Sequence, residues 1–236
     1  MHRFALALLI AAFAVAARAD EAQIRRALEA SFAAKIQSIR PGPLGLYEVT
    51  FVTPRGVGVI YTNSDGTYVV QGEIIETKTK RSITEERLEQ LNAVKFDTLP
   101  FDQAVKIQRG NGKRVLVMFS DPHCPYCKQF EQTLQKVSDI TIYVFMYPVI
   151  RPELEDHSKS VWCSPDRAKA WLELALNGKV PEAKPTCANP VEKNLELGKR
   201  LRVSGTPTLI FPNGKRVGGM LQLADLNDEL DKEAKR

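Results

Sequence analysis

Two cysteines separated by two residues, Cys124 and Cys127, are the feature of this sequence that most directly indicates chemistry. The short apolar run Arg114–Phe119 precedes them and predicts a buried strand, and apolar residues at helical spacing follow them. The pair therefore lies where a strand turns into a helix, with Cys124 near the helix N-terminus. Unpaired backbone N–H groups at such a terminus favour a thiolate over a thiol.

The expected roles of the two cysteines follow from their positions. We expect Cys124 to be exposed at the helix start and to attack a substrate disulfide. Cys127, one turn further along, is expected to release the mixed disulfide that this attack forms. Pro125 suits the first helical turn, where its missing N–H costs nothing.

Two other readings of this cysteine pair remain open at the level of sequence. A structural zinc site needs four ligands, usually as two close pairs, and the other cysteines do not form a second close pair. His123 and His157 are further potential ligands, although their spacing does not indicate a site. An inert structural disulfide between Cys124 and Cys127 is the second alternative.

The other two cysteines, Cys163 and Cys187, have different surroundings. Cys163 follows Trp162 in a predicted helix, and Cys187 lies in a connection rich in Pro, Lys and Thr. In an oxidising compartment we expect them to form a permanent bridge between loop and helix. A second redox pair is the alternative.

Residues 1–19 predict the compartment. His2 and Arg3 precede an apolar run that ends in a small-x-small sequence before Asp20, as in a cleavable secretory signal peptide. Such a peptide, cut after Ala19, would direct export of the chain to a compartment where disulfides persist. A retained membrane anchor is the alternative, although the run is short for a membrane span.

The charge distribution excludes some partners. The sequence has 33 Lys and Arg residues and 28 Asp and Glu residues, which gives a formal net charge of +5. The sequence has no basic stripe with interleaved aromatic residues, so nothing predicts nucleic-acid binding. We predict no metal and no cofactor.

The mature chain is predicted to form two domains. Residues 20–80 combine an amphipathic helix, apolar at Ile24, Leu28, Phe32 and Ile36, with four strands, Leu46–Val52, Val57–Tyr61, Thr67–Val70 and Glu73–Lys80. Such a small α+β unit is marginal alone and would gain from pairing with a second copy. Residues 81–100 are predicted to be a helical linker, which starts with the capping-box pattern of Ser82 and Glu85.

Residues 101–236 are predicted to form an α/β domain. Strands Gln103–Gln108 and Arg114–Phe119 are separated by Gly110-Asn111-Gly112, a hairpin-like signal. A strand over Thr141–Val149 completes a strand–helix–strand unit of the kind that gives parallel pairing. Helical stretches at 155–177 and 191–202, strands at 207–211 and 216–219, and a last helix from 223 follow.

A Cys-x-x-Cys pair beside such a unit is typical of a thioredoxin-like domain. The later Gly205-Thr206-Pro207-Thr208 resembles the cis-proline loop of thioredoxin-fold enzymes. That resemblance implies that the loop faces the active cysteines and offers backbone groups to a bound peptide. Without it, the same residues would predict only a loop leading into a strand.

The whole mature chain resembles the DsbC/DsbG family of periplasmic thiol:disulfide interchange proteins. The resemblance rests on four segments: Gly66–Gly72, Phe119–Cys127, Val161-Trp162-Cys163 and Val203–Pro207. It implies a cystatin-like α+β dimerisation domain, a helical linker and a thioredoxin-fold domain with a helical insertion. It also implies a V-shaped homodimer whose two redox sites face a broad apolar cleft.

The family resemblance further implies function. Cys124 and Cys127 would be the catalytic pair, Tyr126, Thr206 and Pro207 would contact substrate, and a membrane reductant of the DsbD type would keep the pair reduced. Misfolded disulfide-containing secreted proteins would be the substrates of an isomerase with associated chaperone activity.

Two residue patterns divide the family. The dipeptide Pro125-Tyr126 also occurs in the DsbG branch, whereas the best-known DsbC members carry Gly-Tyr. Cys163 and Cys187 resemble the structural disulfide of the DsbC branch, which we favour. The alternatives are a DsbG-like chaperone or reductase of narrower range, a net thiol oxidase, and a binding module in which the cysteines are incidental.

Overall fold

The computed structural model describes residues 21–32, 35–53 and 56–234. They form two compact units, one that ends at Asn92 and one that begins at Ala93. The predicted signal peptide, residues 1–19, lies outside the described residues. In the part of the chain that is described, every helix is too short or too polar to cross a lipid bilayer.

The first unit is an antiparallel sheet with helices packed on it. Its strands follow the order β1-β2-β3-β4, and their bounds are Lys35–Pro41, Tyr47–Thr53, Gly56–Thr62 and Val69–Val70. Residues 21–31 form helix α1, whose buried Ile24 and Leu28 pack against Ile36, Ile39 and Val49 of the sheet. The predicted α+β class of this unit is confirmed.

Helix α2, Ile83–Leu91, packs on β3. The predicted cap is confirmed, because the Ser82 hydroxyl accepts the Glu85 backbone N–H at 3.1 Å. At the other end, the Asn92 side chain accepts from the Val57 N–H at 2.7 Å and donates to the Val57 carbonyl at 3.0 Å.

Two of the predicted elements of this unit are wrong. Ile36 lies in β1 rather than in the first helix, and Phe32, the third apolar residue of the predicted helical stripe, is half exposed. The predicted strand Glu73–Lys80 is a series of turns with a single bridge between Ile75 and Ser82. Its charged side chains remain exposed, so it has no apolar face to bury against the sheet.

The second unit is built on a five-stranded sheet of order β5-β7-β6-β8-β9. The strands are Val105–Arg109, Arg114–Ser120, Ile140–Met146, Thr208–Ile210 and Arg216–Gly218 in chain order. Strands β6 and β7 are parallel and are joined through helix α3, Pro125–Leu134, which confirms the predicted strand–helix–strand unit. The remaining helices are α4 Glu155–Cys163, α5 Arg167–Asn177, α6 Val191–Arg200 and α7 Leu223–Ala234.

The predicted hairpin of β5 and β6 is wrong. Strand β7 lies between them, because the β6–α3–β7 crossover places β7 beside β6 and leaves its other edge for β5. The predicted helix over 155–177 is interrupted as well. Pro165 cannot continue a helix, and Asp166 caps a new one by accepting the Lys169 N–H at 2.9 Å.

Apolar layers cover both faces of the central sheet. Leu116 and Met118 of β6 point into a core shared with α3, α5 and α7, whereas Val117 and Phe119 point into a second core shared with α6. This alternation follows from the two-residue period of a strand. With both faces covered, β6 and helix α3 form a rigid base for the Cys-x-x-Cys segment between them.

One carboxyl group is buried in the larger of these cores. Glu131 of α3 is fully buried and its Oε1 accepts the Trp171 Nε1–H at 2.6 Å, which joins α3 to α5. Burial raises the pKa of this carboxyl to about 7, against opposing effects of the Trp171 hydrogen bond and the Arg109 charge. The folded protein therefore holds this proton more tightly than the unfolded chain, whose ordinary pKa is 4.5.

This difference predicts a loss of stability as pH rises. Wild-type protein should lose folding free energy relative to a Glu131→Gln variant between pH 4.5 and pH 7, by about 2–3 kcal/mol once Glu131 is ionised. Glutamine keeps the acceptor for Trp171 and does not titrate. Denaturant unfolding at pH 5 and pH 8 measures the effect as a growing advantage of the variant at the higher pH.

Glu196→Gln supplies a matched control, because Glu196 is exposed on α6. Its stability should track that of the wild type at both pH values. An advantage of Glu131→Gln that is the same at pH 5 and pH 8 would contradict the buried titration.

Candidate active site

Cys124 lies at the N-terminal end of α3. Its backbone is extended, with φ −83° and ψ 121°, and its carbonyl accepts the Lys128 N–H at 3.1 Å, so it is the N-cap residue of the helix. Pro125 occupies the first helical position, as predicted. The Cys124 thiol donates to the carbonyl oxygen of Thr206 at 3.3 Å. A sulfur at the start of a helix thus meets a loop that is distant in sequence.

The expectation that Cys124 is exposed is wrong for the free chain. Its relative accessibility is 3%, because the loop containing Thr206 packs over the sulfur. Its neighbour Tyr126, by contrast, is 65% exposed. The Cys124 sulfur is therefore largely covered and lies beside an exposed aromatic ring.

The Thr206 loop is held in place by the sheet. Strand β8 pairs antiparallel with β6, with Phe119 opposite Thr208, so the chain just before β8 lies beside the end of β6. The Thr206–Pro207 peptide bond is cis. The Pro207 carbonyl accepts the Gly219 N–H at 2.7 Å, and proline has no N–H of its own. The backbone carbonyl of Thr206 is thus the group that faces the Cys124 sulfur.

Cys127 lies deeper than Cys124, with 1% of its surface accessible, and both cysteines are free thiols. Burial raises the pKa of the Cys127 thiol to about 12, and the neighbouring Cys124 adds to this effect. Three groups oppose it: the Ser120 hydroxyl, the Asp121 backbone N–H and the Thr206 hydroxyl. Cys127 is therefore a thiol that ionises with difficulty and is protected from solvent.

Asp121 fixes the segment that leads into Cys124. This carboxylate is fully buried, and its Oδ1 accepts the His123 backbone N–H at 2.8 Å. Its Oδ2 accepts two further backbone N–H groups, those of Val149 and Ile150, each at 2.7 Å. A single side chain thus ties the loop before α3 to the loop after β7, whose Val149 and Ile150 side chains are exposed.

The two histidines of the described residues contact each other. His123 Nε2 lies 3.1 Å from His157 Nδ1. Burial lowers the pKa of His123, as do the charges of His157 and Arg151, while Asp121 and Glu153 raise it. Among the described residues, no group of three His, Cys, Asp or Glu side chains could hold a metal ion. The histidines therefore link the loop before α3 to α4.

Cys163 and Cys187 are bonded to each other, away from the free thiols. Cys163 is the last residue of α4, and Cys187 lies in the loop between α5 and α6. Their sulfurs are joined across a sequence separation of 24 residues. The structure thus brings Cys124, Cys127, Thr206 and Pro207 together and places the second cysteine pair in the helical insertion.

Sequence reasoning missed Ser120, Asp121 and Glu131. Ser120 and Asp121 follow directly on the apolar run of β6, where a switch to polar residues also marks an ordinary strand end. Glu131 follows Cys127 by one helical turn, so its place on the buried face of α3 could have been found from the helical period.

Comparisons with known proteins agree with this architecture. Residues 101–234 match the family model of a thioredoxin-like domain, and residues 15–85 match that of the disulfide bond isomerase protein N-terminal domain. The probable thiol:disulfide interchange protein DsbC of Bordetella parapertussis is 41% identical over 83% of this chain and 68% of its own length. DsbC of Escherichia coli is 27% identical over 98% of this chain and 96% of its own length.

A solved structure supports the same assignment. The crystal structure of a disulfide interchange protein from Neisseria gonorrhoeae is 40% identical and has a TM-score of 0.55; the match covers 58% of this chain and 99% of that one. With a cysteine pair at the N-terminus of a helix beside a cis-proline loop, these similarities show that the chain belongs to the DsbC family of thiol:disulfide interchange enzymes.

Proposed function

We propose that this chain is a protein disulfide isomerase that acts through Cys124 and Cys127. The observation that carries the proposal is the position of the Cys124 sulfur, which lies at the start of α3 and 3.3 Å from the Thr206 carbonyl. Helix N-terminal N–H groups stabilise negative charge there, as an attacking thiolate requires. Cys127 lies one turn further inside, protected from other nucleophiles.

The proposed reaction begins with Cys124. Its thiolate attacks a wrong disulfide in a client protein, forms a mixed disulfide and releases one client sulfur as a thiolate. That client thiolate then attacks another disulfide of the same client and reshuffles its pairing. A client thiolate finally attacks the client sulfur of the mixed disulfide, which forms a client disulfide and releases Cys124 as a thiolate. When reshuffling stalls, Cys127 attacks Cys124 and frees the client in reduced form.

Client recognition is proposed to use three residues around Cys124. The exposed ring of Tyr126 offers apolar area next to the sulfur. Thr206, which faces Cys124 and precedes Pro207, offers backbone groups to an extended client segment. Because these contacts need no particular client side chain, they suit misfolded disulfide-containing secreted proteins in general, and they support an associated chaperone activity.

The proposed setting is the periplasm, reached through a cleavable signal peptide at residues 1–19. An isomerase must keep Cys124 reduced in a compartment that oxidises thiols, so an external source of electrons is required. A membrane reductant of the DsbD type is the proposed source.

The chain is also proposed to form a homodimer through its first unit. Apolar side chains are exposed on that unit, including Tyr68 and Val70 at the edge strand β4. An edge strand with exposed apolar residues is a surface that pairs readily with another chain. The match to the isomerase N-terminal domain supports the same arrangement.

One observation favours a second candidate function. Pro125-Tyr126 is the dipeptide of the DsbG branch as well, which supports a chaperone or reductase of narrower substrate range. A net thiol oxidase is the further alternative, in which the enzyme donates its disulfide to reduced clients.

The Cys163–Cys187 bridge favours the DsbC-like reading, and we propose that it is structural. In the chain-entropy model it contributes about 3.5 kcal/mol to stability.

Refolding of a scrambled multi-disulfide protein tests the isomerase function. Catalytic amounts of the mature, reduced enzyme in a glutathione buffer should restore client activity faster than glutathione alone, because Cys124 opens wrong disulfides. Cys124→Ala should lose this effect. Recovery of client activity over time is the measurement.

Other outcomes of this assay identify the competing functions. Equal rescue by Cys124→Ala would show a binding module instead. Oxidation of a reduced client without repair of a scrambled one would show a net oxidase.

The order of attack predicts a trapped intermediate. Cys127→Ser should accumulate client adducts through Cys124, because the sulfur that releases them is gone. Non-reducing electrophoresis and mass spectrometry should find these adducts and their loss on reduction. Cys124→Ser is the matched control and should form no adducts. Adducts in Cys124→Ser but not in Cys127→Ser would reverse the assigned roles, and equal adducts in both would contradict the assigned order of attack.

The proposed dimer predicts an effect at β4. Val70→Lys places a charge at the edge strand and should shift the protein from about twice the monomer mass towards the monomer in sedimentation equilibrium. Val180→Lys, at an exposed apolar residue of the second unit, is the control and should leave the mass unchanged. A wild-type protein that sediments as a monomer would contradict the homodimer.

A further inference from the structure

Most of the exposed apolar side chains of the second unit belong to segments beside the cysteine pair. Among the residues that the structure describes, four large apolar side chains of this unit are exposed, those of Tyr126, Val149, Ile150 and Val180. Tyr126 lies within the Cys-x-x-Cys segment, and Val149 and Ile150 lie in the loop that follows β7, residues 147–151, which we call the β7 loop. Clustered apolar residues on a surface, unlike scattered ones, indicate an interaction site.

The sheet places the β7 loop beside the segment that leads to Cys124. Strands β6 and β7 are parallel, and their last residues, Ser120 and Met146, are paired. Both strands therefore end at the same edge of the sheet, where the Tyr147 N–H donates to the Ser120 carbonyl at 2.8 Å. Strand β8 lies on the other side of β6, so the β7 loop and the cis-proline loop flank this segment from opposite sides.

Asp121 holds the β7 loop at a fixed position relative to Cys124. Its carboxylate accepts the N–H groups of Val149 and Ile150, each at 2.7 Å, and also that of His123, the residue before Cys124, at 2.8 Å. Since one carboxylate binds both backbones, the two segments lie side by side. The exposed side chains of Val149 and Ile150 thus project from a backbone that is already ordered, and a ligand that covers them need not order it first.

The chemistry of Cys124 determines what can cover these side chains. In the mixed disulfide a client cysteine is bonded to Cys124, so the client residues on either side of that cysteine lie close to the surface around the sulfur. Large apolar client residues can bury area against Val149 and Ile150 there, and polar ones cannot. Exposed Arg151 and Glu153 follow, which gives the apolar surface a polar border of the kind that interfaces have.

We propose that Val149 and Ile150 form, together with Tyr126, an apolar contact surface for the client residues that flank the cysteine bonded to Cys124. The ligand is an unfolded polypeptide segment with a large apolar residue next to its cysteine. Such residues are mostly buried in folded proteins, so the surface favours cysteines that misfolding has exposed. The proposal rests on the role of Cys124 given above and adds a preference among client cysteines.

Peptide probes that carry thionitrobenzoate test this preference. Two short peptides have a central cysteine, flanked by leucines in one and by serines in the other, and the cysteine sulfur is bonded to thionitrobenzoate. The Cys124 thiolate forms a bond to the peptide sulfur, the bond to thionitrobenzoate breaks, and thionitrobenzoate leaves with the electron pair as a coloured thiolate. Cys124 is thereby oxidised and the thionitrobenzoate sulfur is reduced. The absorbance change after mixing with reduced, full-length mature enzyme gives the rate of attack.

The expected result is a preference for the leucine probe. Each enzymatic rate is divided by the rate of the same probe with glutathione, which removes differences in intrinsic reactivity. The wild-type ratio of leucine to serine probe should be about fivefold, as expected for partial burial of two or three apolar side chains. Val149→Ser combined with Ile150→Ser should lower the ratio to about twofold or less, because it removes apolar area and keeps the N–H groups that bind Asp121.

Two further variants separate apolar area from other effects. Val149→Leu combined with Ile150→Leu keeps the apolar area and should retain the preference. Val180→Ser is the matched control, because Val180 is 42% exposed, against 38% for Val149 and 49% for Ile150, but lies in the loop between α5 and α6. It should show the wild-type ratio.

The ratio of the two rates decides the proposal. A wild-type ratio near one would overturn it, and so would a wild-type ratio in the double serine variant, including one that results from equal slowing with both probes. Loss of the preference in Val180→Ser or in the double leucine variant would overturn it as well. Failure of the isomerase function is seen separately, in the refolding assay, since the probe rates are measured without any client protein.

Discussion

The active site depends on the antiparallel pairing of β6 with β8. Phe119 pairs with Thr208, and this register brings Cys124, at the start of α3, beside Thr206, just before Pro207. The two residues are 82 positions apart in sequence. Side chains alternate between the two faces of a strand, so a register slip of one residue would move every side chain of β6 to the opposite face of the sheet. The large apolar residues of β6 exclude that slip, and the contact between the Cys124 sulfur and the Thr206 carbonyl is fixed as a result.

The same burial that fixes the site works against part of its chemistry. Cys127 is held where solvent cannot reach it, which shields its thiol from other molecules but makes its thiolate costly. Glu131, one turn further along α3, shows the same conflict for a carboxyl group. Such groups are tolerated because the apolar core around them supplies the stability that they cost. Polar neighbours then reduce the cost, as the Trp171 hydrogen bond does for Glu131.

Helix starts were read correctly from the sequence, whereas the neighbours of β5 and the covering of Cys124 were not. The start of α3 with Pro125 in its first turn and the capping of α2 by Ser82 depend on residues a few positions apart, and both are confirmed. The neighbours of β5 depend on where β7 inserts, which no short segment encodes, so the expected hairpin was wrong. Burial of Cys124 was missed for the same reason, because the covering residue, Thr206, lies far along the chain. Family resemblance supplied the cis-proline loop that periodicity alone could not.

The structural roles of polar residues inside or next to apolar runs were the hardest to predict from the sequence. Asp121 looks like an ordinary strand end until its carboxylate is seen to hold His123, Val149 and Ile150 in one network. A carboxylate that accepts three backbone N–H groups replaces solvent for all of them, so its removal would loosen both loops beside Cys124 at once. The role of such a residue depends on hydrogen-bond partners that are distant in sequence and that only the fold brings near.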